Sequence, residues 1–296
     1  MTIDELNKLH YVVKPCEEED VEYILERCED CDYDVAPSEE EAQEEQIVRK
    51  ITDGDGTIIG GCIVCLADWN AAIVDTMWVD ERYRGQGLGA ALVRDVERVL
   101  AENHCRIVIL ATFDFQARPF YEKLGYLPCG AGDWPKGHCN YFLEKRLSAL
   151  PQQSDTPEES SRFEILSGNE EDAEFLDQKL REFDDAYIIK RPFLDLSRKI
   201  TDAEGKLIAG VHAEIDDMAT VQINALWVEE SFRGQGFGAF LLRSVEQAAK
   251  EENAFLAIAN VYDWNADYFL ARGYEACVTV EDFPKGHSWN VFRKPL

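Results

Sequence analysis

Two short stretches of this 296-residue chain could do chemistry, and they are near-copies of each other. The first runs Arg84-Gly85-Gln86-Gly87-Leu88-Gly89-Ala90, the second Arg233-Gly234-Gln235-Gly236-Phe237-Gly238-Ala239. In each, an apolar run ends, an arginine and alternating glycines follow, and an amphipathic segment begins. Strand, glycine loop and helix in that order leave several backbone N–H groups pointing out of a helix N-terminus with no Cβ in the way. Such a site binds anions and suits a pyrophosphate; Arg84 and Arg233 add a cation. Inside the apolar run Ile73–Val79 sits one charged residue, Asp75, on the strand face of Met77 and Val79. A carboxylate there can take a proton from a reacting group, directly or through water. Its counterpart in the second copy, Asn224, cannot.

Periodicity supplies the elements that hold these groups. Ile73–Val79 has the pattern of a β-strand, and Leu88, Leu92, Val96 and Val99 recur at helical spacing behind the loop. Ahead of them come a short strand at Tyr11–Val13 and a helical pattern through Val21, Ile24, Leu25 and Cys28. Two strands follow, Gln46–Ile51 and Thr57–Cys65, joined by the turn Asp53-Gly54-Asp55-Gly56. Downstream lie a fully apolar strand at Arg106–Ala111, a short helix from Ala117 to Leu124 stopped by Gly125, and strands near Tyr126–Leu127 and Asn140–Leu143. The polar stretch 151–161, with prolines near its start and middle, has the character of a linker. Beyond it the same order returns: Asp202-Ala203-Glu204-Gly205 matches the first turn, Trp227-Val228 matches Trp78-Val79, and Gly273-Tyr274 matches Gly125-Tyr126. Arg84 and Arg233 are 149 positions apart, as are His138 and His287 of the two Pro-Lys-Gly-His turns. The chain is a duplication. It is expected to divide into an N-terminal domain 1–150, the linker 151–161 and a C-terminal domain 162–296, each an α/β unit.

The formal net charge of −28 argues against nucleic acid or an anionic membrane as partner. It suits a cationic small molecule, and equally a merely solvated surface. No apolar run approaches membrane-spanning length, and the acidic start Met1–Glu5 is unlike a secretory signal. Nine cysteines, an odd number, indicate reduced thiols and a cytoplasmic setting. Cys28/Cys31 and Cys62/Cys65 have zinc-like spacing without companion pairs, so no metal is expected. Gly85-x-Gly87-x-x-Ala90 also satisfies the dinucleotide fingerprint of nicotinamide oxidoreductases. That fingerprint abuts its strand at the start of a βαβ unit, whereas here Asp80–Arg84 intervene and three strands precede.

Arg84-x-x-Gly87-x-Gly89, following a strand that ends Met77-Trp78-Val79, resembles the acetyl-CoA signature of the GNAT acyltransferase superfamily. The similarity continues through Phe113–Tyr126 and Trp134–His138, and spans nearly all of both halves. The resemblance implies two α/β (α+β) GNAT domains, each a mixed, mostly antiparallel sheet of six to seven strands flanked by helices. The sheet would splay between the motif strand and the buried strand, where acetyl-CoA lies along the main chain near Trp78 and Val79 or Trp227 and Val228. The loop residues Arg84, Gly85, Gln86, Gly87, Leu88, Gly89 and Ala90 would contact it, as would Arg233, Gly234, Gln235, Gly236, Phe237, Gly238 and Ala239. Gln116 would cap its helix or join these contacts, and Asn265 stands at the matching place.

The implied activity is direct transfer of acetyl to a primary amine of a small molecule. An alkylamine with a pKa near 10.4 is almost wholly protonated at neutral pH, a deficit of about 4 kcal/mol that a base must offset. Asp75 is the candidate base, and Tyr121, by the resemblance, the candidate acid for the leaving thiolate. His138 and His287 are placed by analogy beside the acceptor pocket. Counting back from Gly273, Phe269 holds the place of Tyr121, and Tyr268 is expected to point elsewhere. The N-terminal half is therefore expected to carry most of the catalysis, the C-terminal half serving as packing partner or regulatory site. The halves would form a monomeric pseudo-dimer, or the chain a homodimer. The alternative is a sensor that binds acetyl-CoA without transferring the acetyl group.

Overall fold

The structure, a computed structural model, describes residues 1–38, 46–134, 137–147, 163–187 and 192–296. The linker 151–161, residues 135–136 of the first Pro-Lys-Gly-His turn and the end of the acidic stretch near residue 45 lie outside the described residues. In chain order the elements are α1(Ile3–Lys8), β1(Val12–Pro15), α2(Glu18–Val35), β2(Gln46–Thr52), β3(Ile58–Ala67), β4(Ala71–Val79), α3(Leu88–Glu102), β5(Ile107–Phe113), α4(Arg118–Lys123), β6(Leu127–Asp133) and β7(Cys139–Arg146). The second series is β8(Glu164–Ser167), α5(Glu170–Asp184), β9(Leu194–Asp195), β10(Arg198–Thr201), β11(Leu207–Ile215), β12(Thr220–Val228), α6(Phe237–Glu251), β13(Leu256–Tyr262), α7(Asp263–Leu270), β14(Glu275–Glu281) and β15(Ser288–Pro295).

Local chemistry explains the elements that position the site. Asp53 Oδ1 accepts the N–H groups of Asp55 and Thr57, and Asp202 Oδ1 those of Glu204 and Lys206, which closes each hairpin turn. Helix α3 buries Leu92, Val93, Val96 and Leu100, and α6 buries Phe237, Leu241, Leu242, Val245 and Ala249, the expected apolar stripes. Helix α1 was not foreseen. Its six residues are too few for a period to show, yet a Thr2–Glu5 capping box starts it and Leu6 is fully buried.

The compact units depart from the expected linear division of the chain. One comprises residues 38–188; the other joins residues 1–37 to 189–296. Each repeat thus gives its leading strand and helix to the other repeat's sheet. In the first unit β8 pairs antiparallel with β2, and the strand order is β6-β7-β5-β4-β3-β2-β8. In the second, β1 pairs antiparallel with β10, and the order is β1-β10-β11-β12-β13-β15-β14. Both sheets are mixed and mostly antiparallel; the parallel neighbours are β4 with β5 and β12 with β13.

Matching glycines let the exchanged helices dock. A Cβ at Gly61 would lie 2.4 Å from Leu176 of α5, and one at Gly210 would lie 2.1 Å from Ile24 of α2. Leu176 and Ile24 are both fully buried. In both units a branched aliphatic side chain of the exchanged helix thus sits over a glycine of the central strand.

Candidate active site

Strands β4 and β5 are in parallel register from Ala71–Ile107 to Val74–Leu110, and there the pairing ends. In the second unit β12 and β13 stay paired from Thr220–Leu256 to Ile223–Ala259. Beyond these points the strand ends diverge, and each divergence opens a cleft of about 680 Å³. A β-bulge marks the fork. Ile63 faces Thr76 and Val64 faces Val74, which leaves Asp75 as the extra residue; His212 faces Ala225 and Ala213 faces Ile223, which leaves Asn224. Asp75 and Asn224 line their clefts.

At the other end of each cleft stands a helix N-terminus. Gly87 and Gly236 cap α3 and α6 in the left-handed region, with φ of +83° and +91°, where a side chain would be strained. The N–H groups of the first turn have no intrahelical acceptor and face the cleft. Arg84 Nε donates to the Val79 carbonyl at 2.8 Å, and Arg233 Nε to the Val228 carbonyl at 3.0 Å, so each guanidinium is anchored by the strand end. Trp78, Val79, Arg84, Gly85, Gly87, Leu88, Gly89 and Ala90 line the first cleft. Trp227, Val228, Arg233, Gly234, Gly236, Phe237, Gly238 and Ala239 line the second. Gln86 and Gln235 do not: their amides turn back to the carbonyls of Arg82 and Ser231.

Gln116 lines the first cleft as a structural clamp. Its Oε1 accepts the Phe113 N–H at 2.9 Å while its Nε2 donates to Asp184 at 2.9 Å. Asn265 lines the second. The histidines are not in either lining. His138 Nδ1 sits 3.0 Å from Asp114 and His287 Nδ1 3.1 Å from Asp263, pairs that pin the loops behind the clefts. The analogy had put them beside an acceptor; His138 stands one side chain outside the lining, edge-on to Phe115 at 4.9 Å.

Tyr121 lines the first cleft, only 7% exposed, edge-on to Phe120 and Tyr126 with centroids 5.0 and 5.7 Å away. Burial raises its phenol pKa above the ordinary value. Asp75 is raised too, first by desolvation and then by the charge of Asp177. In the second cleft Phe269 stands edge-on to Tyr274 at 5.3 Å, as Tyr121 does to Tyr126, so it holds the place of Tyr121. Helix α7 starts at Asp263 directly after β13, so the missing residue is absorbed at the loop-to-helix junction. Tyr268 points elsewhere than Tyr121 does, yet still reaches the cleft. It takes the place of Phe120, against Gly238 as Phe120 lies against Gly89; its ring lines the cleft, and its hydroxyl is buried without a hydrogen-bond partner.

Sequence reasoning missed the walls supplied by exchange. Leu180, Phe183 and Asp184 of α5 line the first cleft, and Arg84 lies over the Phe183 ring at 5.3 Å. Cys28, Cys31 and Asp32 of α2 line the second, where Asp32 accepts from Trp264 Nε1 at 2.8 Å. Asn140 was missed as well. It lines the first cleft, 7% exposed, with Oδ1 buried and unpartnered, and Trp289 stands at its place in the second. None of the nine cysteines is disulfide-bonded, and no group of side chains suited to a metal occurs among the described residues. No helix among them is long and apolar enough to cross a membrane.

A forked sheet with an open helix N-terminus at one end and a carboxylate and a phenol toward the other is the architecture of an acyl-transfer enzyme. The family model described as Acetyltransferase (GNAT) family matches residues 9–126 and again 161–274. The chain belongs to that family, as a tandem GNAT-type N-acetyltransferase, and the nicotinamide reading falls away. It is 34% identical over 109 residues to blasticidin-S acetyltransferase of Streptomyces morookaense, covering 36% of this chain and 80% of that one. It is 42% identical over 53 residues to glucosamine 6-phosphate N-acetyltransferase of Trypanosoma brucei brucei, covering 18% of this chain and 35% of that one. A crystal structure of an acetyltransferase from Bacillus cereus is similar at 31% identity and a TM-score of 0.42, covering 44% of this chain and 94% of that one.

Proposed function

We propose that this chain transfers acetyl from acetyl-CoA to a primary amine of a small molecule, with the first cleft as principal site. The observation that carries this reading is the fork itself: one cleft joins an anion-binding helix N-terminus, a raised carboxylate and a buried phenol. The glycines fit the cofactor, since Gly87 and Gly89 leave the N–H groups of α3 uncovered, with Arg84 alongside to hold a phosphate. Acetyl-CoA, when bound, supplies an activated thioester. The chain's residues do the rest: Asp75 takes the ammonium proton, and the Tyr121 hydroxyl donates a hydrogen bond where negative charge collects on the leaving sulfur. The net charge of −28 draws in a cationic acceptor and disfavours a phosphorylated one. Blasticidin S is therefore the first acceptor to try, followed by polyamines and aminoglycosides. Thiol release from acetyl-CoA with each amine tests the reading. CoA binding without release under any of them identifies a sensor instead.

Two predictions follow from the ends of the cleft. Ala90→Asp with Ala239→Asp places a carboxylate at the third residue of α3 and α6, where it also favours the helix N-terminus, so folding is kept. CoA affinity should weaken at least about tenfold, roughly 1.4 kcal/mol, and the CoA-induced rise in Tm should shrink accordingly. Unchanged affinity by calorimetry refutes the phosphate site. For Asp75, the active form is the carboxylate, and its pKa is raised. The kcat/KM of the chain should fall as pH drops through that raised value. Asp75→Asn should cost about 10²-fold and abolish the acid limb; an unaltered pH profile removes Asp75 from the mechanism.

A further inference from the structure

We infer that the second cleft has a further phosphate subsite, built on Arg272, that takes the ribose phosphomonoester of CoA. The inference deepens the acetyl-CoA reading above and rests on it. Counting back from Gly273-Tyr274, which match Gly125-Tyr126, Arg272 stands where the first repeat has Leu124. Arg272 lines the second cleft, whereas Leu124 is not in the lining of the first and packs against its core. The guanidinium is fixed by the protein itself. Its Nη1 donates to the Tyr268 carbonyl in the last turn of α7 at 2.5 Å, and its Cζ lies 3.5 Å from the centroid of the Tyr268 ring. Its Nε is buried with no acceptor.

The chain has 58 acidic residues against 30 basic ones, yet Arg272 forms no ion pair among the described residues. Glu246, the buried carboxylate of α6, is taken up by Lys294 Nζ at 2.7 Å and by the Tyr274 hydroxyl at 3.0 Å. A guanidinium held in a cleft without a carboxylate is completed by an anion from outside, and its planar fork matches phosphate oxygens. Its place selects the anion. The α6 N-terminus and Arg233 face the pyrophosphate, and Tyr268 joins that end to Arg272: a Cβ at Gly238 would meet the Tyr268 hydroxyl at 2.8 Å, while Arg272 covers the ring. One tyrosine ring thus separates the two cationic places, as one ribose ring separates the pyrophosphate of CoA from its phosphomonoester. The cleft with Asn224 and Phe269 in place of Asp75 and Tyr121 is the one with the extra hold on the nucleotide.

The test uses the full chain carrying Ala90→Asp, so that binding reports on the second cleft, titrated by calorimetry with CoA and with dephospho-CoA. CoA should bind at least about tenfold more tightly than dephospho-CoA. Two variants are then compared. Arg272→Leu supplies the residue of the first repeat; Arg272→Gln keeps a donor for the Tyr268 carbonyl and removes the charge. Each should weaken CoA about tenfold and leave dephospho-CoA within about twofold, with Tm of the free chain held. A merely structural arginine would weaken both nucleotides alike. Should Arg272→Leu fail to fold, Arg272→Gln decides. Equal affinity for the two nucleotides before substitution, a preference that survives the variants, or an equal loss of both overturns the subsite alone. If the wild-type chain binds neither nucleotide, the acetyl-CoA reading falls and the subsite with it.

Discussion

A chain of residues 38–188 will fold by itself, melt cooperatively and bind CoA in the first cleft, whereas residues 46–150, the same sheet without β8 and α5, will not fold. The shorter piece is the part of the first sheet that precedes the linker; the longer is the whole compact unit. Removing α5 uncovers the small core of Val48, Ile63, Ala173 and Leu176, with Trp78 and Phe175 packed beside it. Burying one Val, Ile or Leu side chain is worth about 1.5–3 kcal/mol. Losing the burial of Leu176, Ile63 and Val48 therefore costs about 5–9 kcal/mol, against a total stability of about 5–15 kcal/mol for an ordinary domain. The ion pairs Lys50–Asp172 and Arg49–Asp95 and the Arg49–Ser167 hydrogen bond tie the exchanged segment and α3 to β2, and add less. Circular dichroism melts of the two fragments decide the matter. Equal cooperativity in both would mean that α5 is dispensable to the sheet, and the exchange described above would be wrong.

Tyr121→Phe should lower kcat about 10²–10⁴-fold, or roughly 3–5 kcal/mol, with little change in KM. The ring remains, and with it the edge-on contacts to Phe120 and Tyr126, so the melting temperature should hold. The raised phenol pKa matters here. A group that holds its proton more tightly than the thiol it faces acts best as a hydrogen-bond donor to developing charge, and that role depends on position more than on acidity. Turnover within twofold of wild type would make Tyr121 a packing residue of the α4 helix. Comparison with Tyr268→Phe sharpens the test, because Tyr268 lines the other cleft from the place of Phe120.

Much of this was legible in the sequence because it is local. The glycine loops, the hairpin turns and the apolar stripes of α3 and α6 each depend on residues within a few positions of one another. The repeat spacing then carried Asp75 onto Asn224, and counting back from Gly273 carried Tyr121 onto Phe269. What was hidden depends on distant partners. Leu176 meets Gly61 and Ile24 meets Gly210, contacts between residues more than 100 positions apart that no local signal reveals. The walls supplied by Phe183, Asp184, Cys28 and Asp32 were invisible for the same reason. Gln116 and the two histidines have partners that the sequence could not show: Gln116 lines the cleft while bonded to Asp184, and the histidines pair with Asp114 and Asp263.

The exchange also sets a timetable for synthesis. Asp20 of α2 pairs with Lys199, and Asp32 receives its hydrogen bond from Trp264, partners 179 and 232 residues further along. At about 5–20 residues per second, the first acidic helix leaves the ribosome some 10–45 seconds before its sheet exists. The unit of residues 38–188 waits less, since Ser167 and Asp172 follow their partners Arg49 and Lys50 by 118 and 122 residues and its last element is made well before the chain ends. The first cleft can thus be complete while the second is still being translated, and the acidic residues of α2 suit a segment that must wait for its sheet.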